Sequence, residues 1–446
     1  MAGNTKQVFW VANMYQIENS GDLLKNKRQQ VGNRRNWQLV GTTVLLLGLT
    51  SLLTDISSEM VSTTLPLYLL VTLQFTPFQI GLIDGLNQGA AVLVKLVSGM
   101  IADRWQRPKE VATAGYLFSM LSKLGFLLIG SNWTGISSVV VLDRIGKGIR
   151  TAPRDAMIAA SSAPERIATA FGVHRAMDTA GAMLGPLLAV AILTIAPGAY
   201  DAVFVVSMCV ALVGVAVIAT FVHNPAAKPE ATESHAQNSA ASRVSYRSTL
   251  SLLAIPQFRS LVIIGSLFAL VTVSDGLLYL NLQRSLALRT GFFPLLFVVS
   301  ALLYMLLAIP VGSLADRIGS KKVFLVGYAM LALAYALLLL PSQNYLTAGC
   351  VLLLIALYYS GTDGVLMALA SRALPTPLRT TGLALLTTGT GLARLFASTL
   401  YGVVWNQFGA NQALMIFIIG LVSSIVIATF VISEIDTKGI KRVNHD

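Results

Sequence analysis

The stretch TDISSEM, residues 54–60, sets Asp55 and Glu59 four positions apart with Ser57 and Ser58 between them. Its flanks, TTVLLLGLTSLL before and VSTTLPLYLLVTL after, carry no charge. Asp55, Ser58, Glu59 and Ser62 follow an i, i+3, i+4, i+7 spacing and share one helical face. Two carboxylates that close repel one another in a low-dielectric setting, and binding a proton relieves the repulsion. That is the chemistry of proton coupling, with Ser58 and Ser62 placed to hydrogen-bond a solute. The competing reading is a buried acid held permanently by Arg144, Lys95 or Arg175.

Other charged residues sit in equally apolar surroundings. FGVHRAMDTAGAMLGP, residues 171–186, places His174 and Asp178 one turn apart and aligns Gly181 and Gly185 with them. A histidine changes charge near neutral pH, so this pair is a second proton-coupling candidate, against a satisfied buried histidine. DRIGKGIRTAPRD, residues 143–155, offers Arg144 as the cationic partner of the span-one carboxylates. Lys147 and Arg175 are candidate solute ligands. Arg150 and Arg154 lie nearer a helix end, as anchors or gate residues, and share a face suited to an anion. In the second half, Asp275 in VTVSDGLLYL occupies a place like that of Asp55. Asp363 and Arg394 are placed to line the same cavity. Tyr358 and Tyr359 read as packing or lipid contact ahead of pocket lining. A charge at the bilayer centre costs on the order of 2.5–3.5 kcal/mol on insertion scales, so these residues are functional candidates by default.

The elements that must position them are transmembrane helices. Of 446 residues, 55% are hydrophobic and only 12% charged, and the mean hydropathy is +0.70. Runs of roughly 20 apolar residues, enough to cross a bilayer, recur along the chain. Twelve spans are expected, near 39–73, 79–100, 110–130, 136–159, 167–195, 200–222, 258–284, 293–314, 322–340, 346–371, 379–405 and 411–432. The fold class is therefore all-α, polytopic and membrane-embedded, in two six-helix bundles. Its expected parts are a cytoplasmic segment 1–38, a first bundle 39–222, a linker 223–257, a second bundle 258–432 and a tail 433–446. The linker is rich in Ala, Ser and Pro and reads as flexible. Residues 1–36 are polar and basic with no apolar core, so no cleavable signal peptide is expected.

The formal charge of +12 comes from basic residues gathered in alternate loops, from Lys25 and Arg34 at the start to Lys438 and Arg442 at the end. By the positive-inside rule both termini and the linker are cytoplasmic, in a bacterial inner membrane. Nucleic acid is not an expected partner, because no aromatic-interleaved basic patch exists. Cys209 and Cys350 lie in apolar runs, and the four histidines form no ligand set, so no metal or cofactor is expected. GTGLAR lacks the third glycine and the preceding strand of a dinucleotide fingerprint, and no phosphate-binding loop is present.

An internal repeat supports the two halves. GMIADRWQRPK, residues 99–109, follows span two, and GSLADRIGSKK, residues 312–322, follows span eight. Both read Gly-x-x-x-Asp-Arg followed by bases, and such duplication is how many transporters are built. With twelve spans in two halves, the chain resembles the major facilitator superfamily over essentially its whole length. The resemblance implies a cytoplasmic latch favouring the outward-facing state, carried by Gly99, Asp103, Arg104, Arg107 and Lys109 and by Gly312, Asp316, Arg317, Lys321 and Lys322. The first copy departs from the pattern with Gln106 where the second has Gly319. Gly181-x-x-x-Gly185-Pro186 resembles the span-five signature associated with antiporters, although Ala189 and Val190 replace its following glycines. Arg144-x-x-x-Gly148 resembles a span-four arginine motif linked to proton transfer.

No catalytic dyad, metal cluster or soluble domain suggests an enzyme. The expected function is proton-coupled antiport exporting a small organic solute, drug-like, siderophore-like or an organic anion, by alternating access. The alternative is a proton-coupled symporter importing an anionic nutrient. The expected partners are a small-molecule substrate, protons and the lipid bilayer, and the expected state is a monomer. The large basic share of the intramembrane charges leans toward an anionic or zwitterionic solute, with multidrug efflux close behind.

Overall fold

The computed structural model describes residues 41–105, 107–162, 167–224, 252–286, 289–340, 344–374 and 379–443. The first six helices are α1 (Thr42–Leu67), α2 (Pro77–Trp105), α3 (Pro108–Leu128), α4 (Trp133–Ala160), α5 (Ile167–Ile195) and α6 (Tyr200–Phe221). The second set is α7 (Pro256–Leu270), α8 (Asp275–Leu286), α9 (Phe293–Ile318), α10 (Ser320–Leu338), α11 (Tyr345–Arg372), α12 (Arg379–Phe408) and α13 (Ala410–Val443). Local signals set many starts. Pro77, Pro108 and Pro256 open α2, α3 and α7, where a missing N–H is not needed. Asn132 caps α4 by accepting from the Thr134 and Gly135 N–H groups, and Asn344 caps α11 through Thr347 N–H. Gly319, at φ +102°, makes the tight turn from α9 to α10 that a side chain would strain.

Expected span seven is two helices. α7 stops at Leu270 and α8 starts at Asp275, with four non-helical residues between them. β-branched Thr272 and Val273 and the cap-favouring Ser274 weaken the helix there. The Tyr335 hydroxyl accepts from the freed Val273 N–H at 2.8 Å, which satisfies one backbone group exposed by the break. Helix α13 also continues beyond 432, with helical backbone to Val443. The N-terminal segment and most of the linker lie outside the described residues.

Ten helical stretches among the described residues are long and apolar enough to cross a membrane, with α7 and α8 counted together. The remaining two, α2 and α4, have 29 and 28 residues, long enough on geometry. α4 carries Asp143, Arg144, Lys147, Arg150, Arg154 and Asp155. It keeps Asp143, Arg144 and Arg150 buried, packing against α3 and α2. Leu128, Ile195, Phe221, Leu306, Ile419 and Phe430 are exposed around the outside, as lipid-facing surface requires.

Within the first half α1 packs on α5 and α6, and α3 on α4 and α6. Within the second, α11 packs on α9 and α10, and α12 on α7. The halves meet through α2–α12, α5–α9 and α1–α8. At the start of α2 the approach is backbone to backbone: a Cβ on Gly81 would lie 2.8 Å from Gly402 Cα. On the same side, a Cβ on Gly291 would lie 3.1 Å from the Leu193 carbonyl. The halves are closed together at that side, the one whose loops carry few basic residues.

Candidate functional site

The polar stripe of α1 extends one turn beyond expectation. Ser51, Asp55, Glu59 and Ser62 form a line facing α3, α4, α5 and the interface between the halves. Asp55 meets Arg150 at 3.6 Å, and Ser62 accepts from the Arg144 guanidinium at 3.3 Å. Glu59 and Ser62 line the central cavity, whereas Ser58 is 2% exposed and does not. Ser57, on another face, is bonded to Ser207 of α6 at 3.0 Å.

The expected partner of Asp55 needs correcting. Arg144 is not within ion-pair distance of either span-one carboxylate; it pairs with its own neighbour Asp143 at 2.7 Å. Arg150, almost two turns further along α4, takes the place against Asp55 and stacks over the Tyr116 ring at 4.9 Å. Of the other proposed partners, Arg175 is exposed and the Lys95 side chain lies outside the described residues.

Asp143 is the centre of a buried knot that spacing alone did not single out. Its Oδ1 accepts from Lys123 Nζ at 2.5 Å, Ser119 at 2.6 Å and Ser122 at 3.2 Å, while Oδ2 meets Arg144. Lys123 is 1% exposed. A buried ammonium is tolerated only when paired and hydrogen-bonded, and α3 supplies both the ammonium and the two hydroxyls that complete the site. The legible signal was a pair of opposite charges in adjacent apolar spans.

Helix α5 reaches α1 through its glycines. A Cβ on Gly181 would lie 2.5 Å from the Leu52 carbonyl and 3.2 Å from Asp55 Cβ. One on Gly185 would lie 2.6 Å from the Ile56 carbonyl and 2.9 Å from Glu59 Cβ. Pro186 follows within the same helix. The antiporter-like signature therefore packs directly behind both span-one acids. Two turns before Gly181 on α5, His174 bonds Ser51 at 2.9 Å, and Asp178 lies 3.9 Å from His174 and 3.8 Å from Arg154. Arg154 also pairs with Asp155 at 2.9 Å and donates to Ser51 at 3.2 Å. Ser51, missed in the sequence, ties His174, Arg154 and Tyr116 together.

Between the halves lies a cavity of about 320 Å³. α1 contributes Glu59 and Ser62, α2 contributes Asp84, Asn87 and Gln88, and α4 contributes Arg144. The second half supplies Ser274 and Asp275 at the helix break, Tyr359 from α11 and Arg394 from α12. Tyr359 is not lipid-facing: its hydroxyl donates to both oxygens of Asp275, at 2.9 and 3.0 Å. Tyr358 is 2% exposed and belongs to the core. Gln88 donates to Asp84 at 2.8 Å and to Ser398 of α12 at 3.2 Å, so it bridges the halves. The i, i+3, i+4 spacing of Asp84, Asn87 and Gln88 was the available signal for this wall.

Besides Ser58, three expected solute ligands stand off the cavity wall. Lys147 and Arg175 are not among its lining residues, and Asp363 lies behind Arg394 at 3.9 Å. In the repeated loops the side chains of Gly99, Asp103, Arg104 and Asp316 lie outside the described residues. Arg107, Arg317 and Lys322 are exposed, Lys321 is the second residue of α10, and Gly312 is in the last third of α9. Lys109 Nζ donates to the Ala219 carbonyl of α6 at 2.9 Å.

The family model of the Major Facilitator Superfamily matches residues 47–294 and 261–444, essentially all of both halves. The chain belongs to the major facilitator superfamily. An uncharacterized MFS-type transporter of Methanocaldococcus jannaschii is 30% identical over 382 residues, 84% of this chain and 91% of that one. An uncharacterized protein of Mycobacterium tuberculosis is 32% identical over 158 residues, 35% of this chain and 38% of its own. The fold is shared with the nucleoside transporter NupG, at TM-score 0.70, 17% identity and coverage of 88% and 99% of the two chains. It is shared too with a bacterial homologue of human lysosomal Spinster, solved inward-facing and unoccupied, at TM-score 0.70, 14% identity and coverage of 90% and 98%. This superfamily member is thus a multi-pass membrane transporter rather than an enzyme, with the two-bundle all-α architecture expected of it.

Proposed function

We propose that this major facilitator protein exports a small organic solute by proton-coupled antiport. The observation that carries the reading is the packing of Gly181 and Gly185 against the α1 backbone at Asp55 and Glu59. Side chains cannot intervene there, so α1 and α5 form a bistable contact of the kind that converts small local changes into helix movement. A change of charge on Asp55 or Glu59 acts directly on that contact. The α5 helix in turn contacts α9 across the halves, which gives the charge change a route to domain rocking. The proton route runs from the His174–Ser51–Asp178 group through Asp55 and Glu59 to the cavity. Arg150 holds Asp55 in place, and Arg144 holds Ser62.

The same reading places both termini on the cytoplasmic side of a bacterial inner membrane, with a single chain sufficient for transport. Purified protein in liposomes tests it. Under an imposed proton gradient the solute moves against its own gradient, and a pH-sensitive dye in the lumen records proton counterflow. Asp55→Asn and Glu59→Gln abolish the counterflow while the protein stays monodisperse. Unchanged coupling in both variants would sink the proposal. Solute and protons moving in the same direction would favour symport instead.

A further inference from the structure

The charges lining the cavity are not equally available. Its two arginines each lie against an acid that stands outside the lining: Arg144 on Asp143 at 2.7 Å, and Arg394 on Asp363 at 3.9 Å. Asp143 also carries Lys123. Of the three cavity acids, Glu59 lies in the field of Lys147, Arg144, Asp55 and Asp143. Asp275 faces Arg394, Asp84 and Asp363, and is hydrogen-bonded by Tyr359. Asp84 is different, because no cation faces it among the described residues: its carboxylate meets the neutral Gln88, Ser274 and Ser398, with Asp275 nearby.

The space beside Asp84 is shaped by the break in span seven. Asp84 Oδ1 lies 3.6 Å from where a Cβ on Gly276 would stand, which sets it against the first turn of α8 and beside Asp275. Ser274 Oγ is buried and faces the Asp84 carboxylate, yet has no partner within hydrogen-bonding distance. A buried hydroxyl without a partner costs free energy unless something else fills the role. Two carboxylates from opposite halves and an unused hydroxyl therefore converge where the backbone is non-helical. Broken helices at the cavity of a transporter commonly serve as binding positions for this reason.

We infer that the transported solute is a small hydrophilic organic cation whose ammonium or amidinium group sits between Asp84 and Asp275, against Ser274 Oγ. The inference rests on the reading of this cavity as the solute site of an antiporter. A cation there supplies the positive charge that Asp84 lacks and a donor to Ser274 Oγ, and draws the two halves together across α2 and α8. An anion would instead share Arg144 with Asp143 and Arg394 with Asp363, and would face the acids Asp84 and Asp275. This turns the preference for an anionic solute around: the arginines are numerous in the sequence, but each of the two at the cavity lies against an acid in the fold. Asn87, Gln88, Thr272 and Ser62 on the walls suit a polar solute, and a cavity near the lower end of ligand-site volumes suits a small one.

The test uses the full chain in lipid nanodiscs and a matched probe set of four-carbon solutes: 1,4-diaminobutane, butylamine, 4-aminobutyrate and succinate, with butylguanidine added. The amines and the guanidine raise the unfolding temperature in a saturable way, and succinate does not. Asp84→Asn and Asp275→Asn each weaken that binding tenfold or more. Ser274→Lys, which places an ammonium in the same space, abolishes it and serves as the check if an Asn variant fails to fold. Stabilisation by succinate in preference to the amines, no binding of any cationic probe, or amine binding unchanged in the variants each overturns the inference. Proton exchange is read separately in liposomes. An anionic solute that exchanges for protons would sink the cation assignment and leave antiport standing. A cation moved without protons would do the reverse.

Discussion

The Asp55 carboxylate lies 3.6 Å from the Arg150 guanidinium, across the contact between α1 and α4, with side-chain exposures of 15% and 3%. The same guanidinium leaves its second terminal nitrogen buried without a hydrogen-bond partner. Arg150 is thus set against Asp55 and over the Tyr116 ring. Removing one member strands the other in a dry interface, which costs about 3–5 kcal/mol for a buried pair. Arg150→Gln is expected to lower the unfolding temperature and coupled transport together. In the double variant Arg150→Gln with Asp55→Asn the unfolding temperature recovers and coupling does not. Thermal unfolding in detergent alongside liposome flux separates the two. A double variant as unstable as Arg150→Gln alone would show that the pair is not the unit.

Among the described residues Lys123 and Asp143 form the most enclosed ion pair, 2.5 Å apart with side-chain exposures of 2% and 9%. Lys123→Met leaves Asp143 with one cation for its two oxygens and should destabilise the protein by about 3–5 kcal/mol. Arg144 then shifts toward the vacated oxygen and away from Ser62. Solute affinity is expected to fall even in protein that remains folded. A stable Lys123→Met variant with normal affinity would assign the knot no role at the cavity.

Substitutions on α5 should sort by what they meet. A Cβ on Gly185 meets the Ile56 carbonyl at 2.6 Å, whereas one on Gly172 meets nothing within 4 Å. Gly185→Val is expected to cost about 1–3 kcal/mol through overpacking and to reduce transport tenfold or more. Gly172→Ala, on the same helix, serves as the control and leaves both near normal. Equal tolerance at the two positions would remove the reason for placing the coupling at the α1–α5 contact.

The Gly81–Gly402 approach holds the halves together at one side of the membrane. A Cβ on Gly402 would lie 2.5 Å from the Pro77 carbonyl and 3.0 Å from Gly81 Cα. Gly402→Val should therefore disfavour this closed arrangement and shift the population toward one open on that side. The readout is a single cysteine at Asn87, in a background with Cys209 and Cys350 replaced by serine. An impermeant thiol reagent applied from the α2-start side should label it faster in the Gly402→Val protein. Slower or unchanged labelling would contradict the gating role.

Much of this molecule was readable before any fold was known. Hydropathy marked the spans because burying apolar chain in lipid is a property of each segment alone. The helical period put Asp55, Glu59 and Ser62 on one face because 3.6 residues per turn operates within a single helix. The paired Gly-x-x-x-Asp-Arg loops revealed the two halves because duplication leaves local traces. The break in span seven was partly written in Thr272, Val273 and Ser274, yet its hydropathy reads as one continuous span.

What only the tertiary structure decided was partnership. Arg144 and Arg150 are both basic, both on α4 and both plausible neighbours for Asp55. The choice between them depends on the depth and rotation of α4 against α1, set by packing through α2, α3 and α5. In the same way Asp84, an acid in the apolar run of α2, stands apart only once α2 meets α8 and α12, which leaves it beside Ser274 and Asp275 with no cation facing it among the described residues. Charge type and helical face are properties of a segment. Whether a charge is already answered depends on residues a hundred or more positions away, and one chain read alone does not encode their distances.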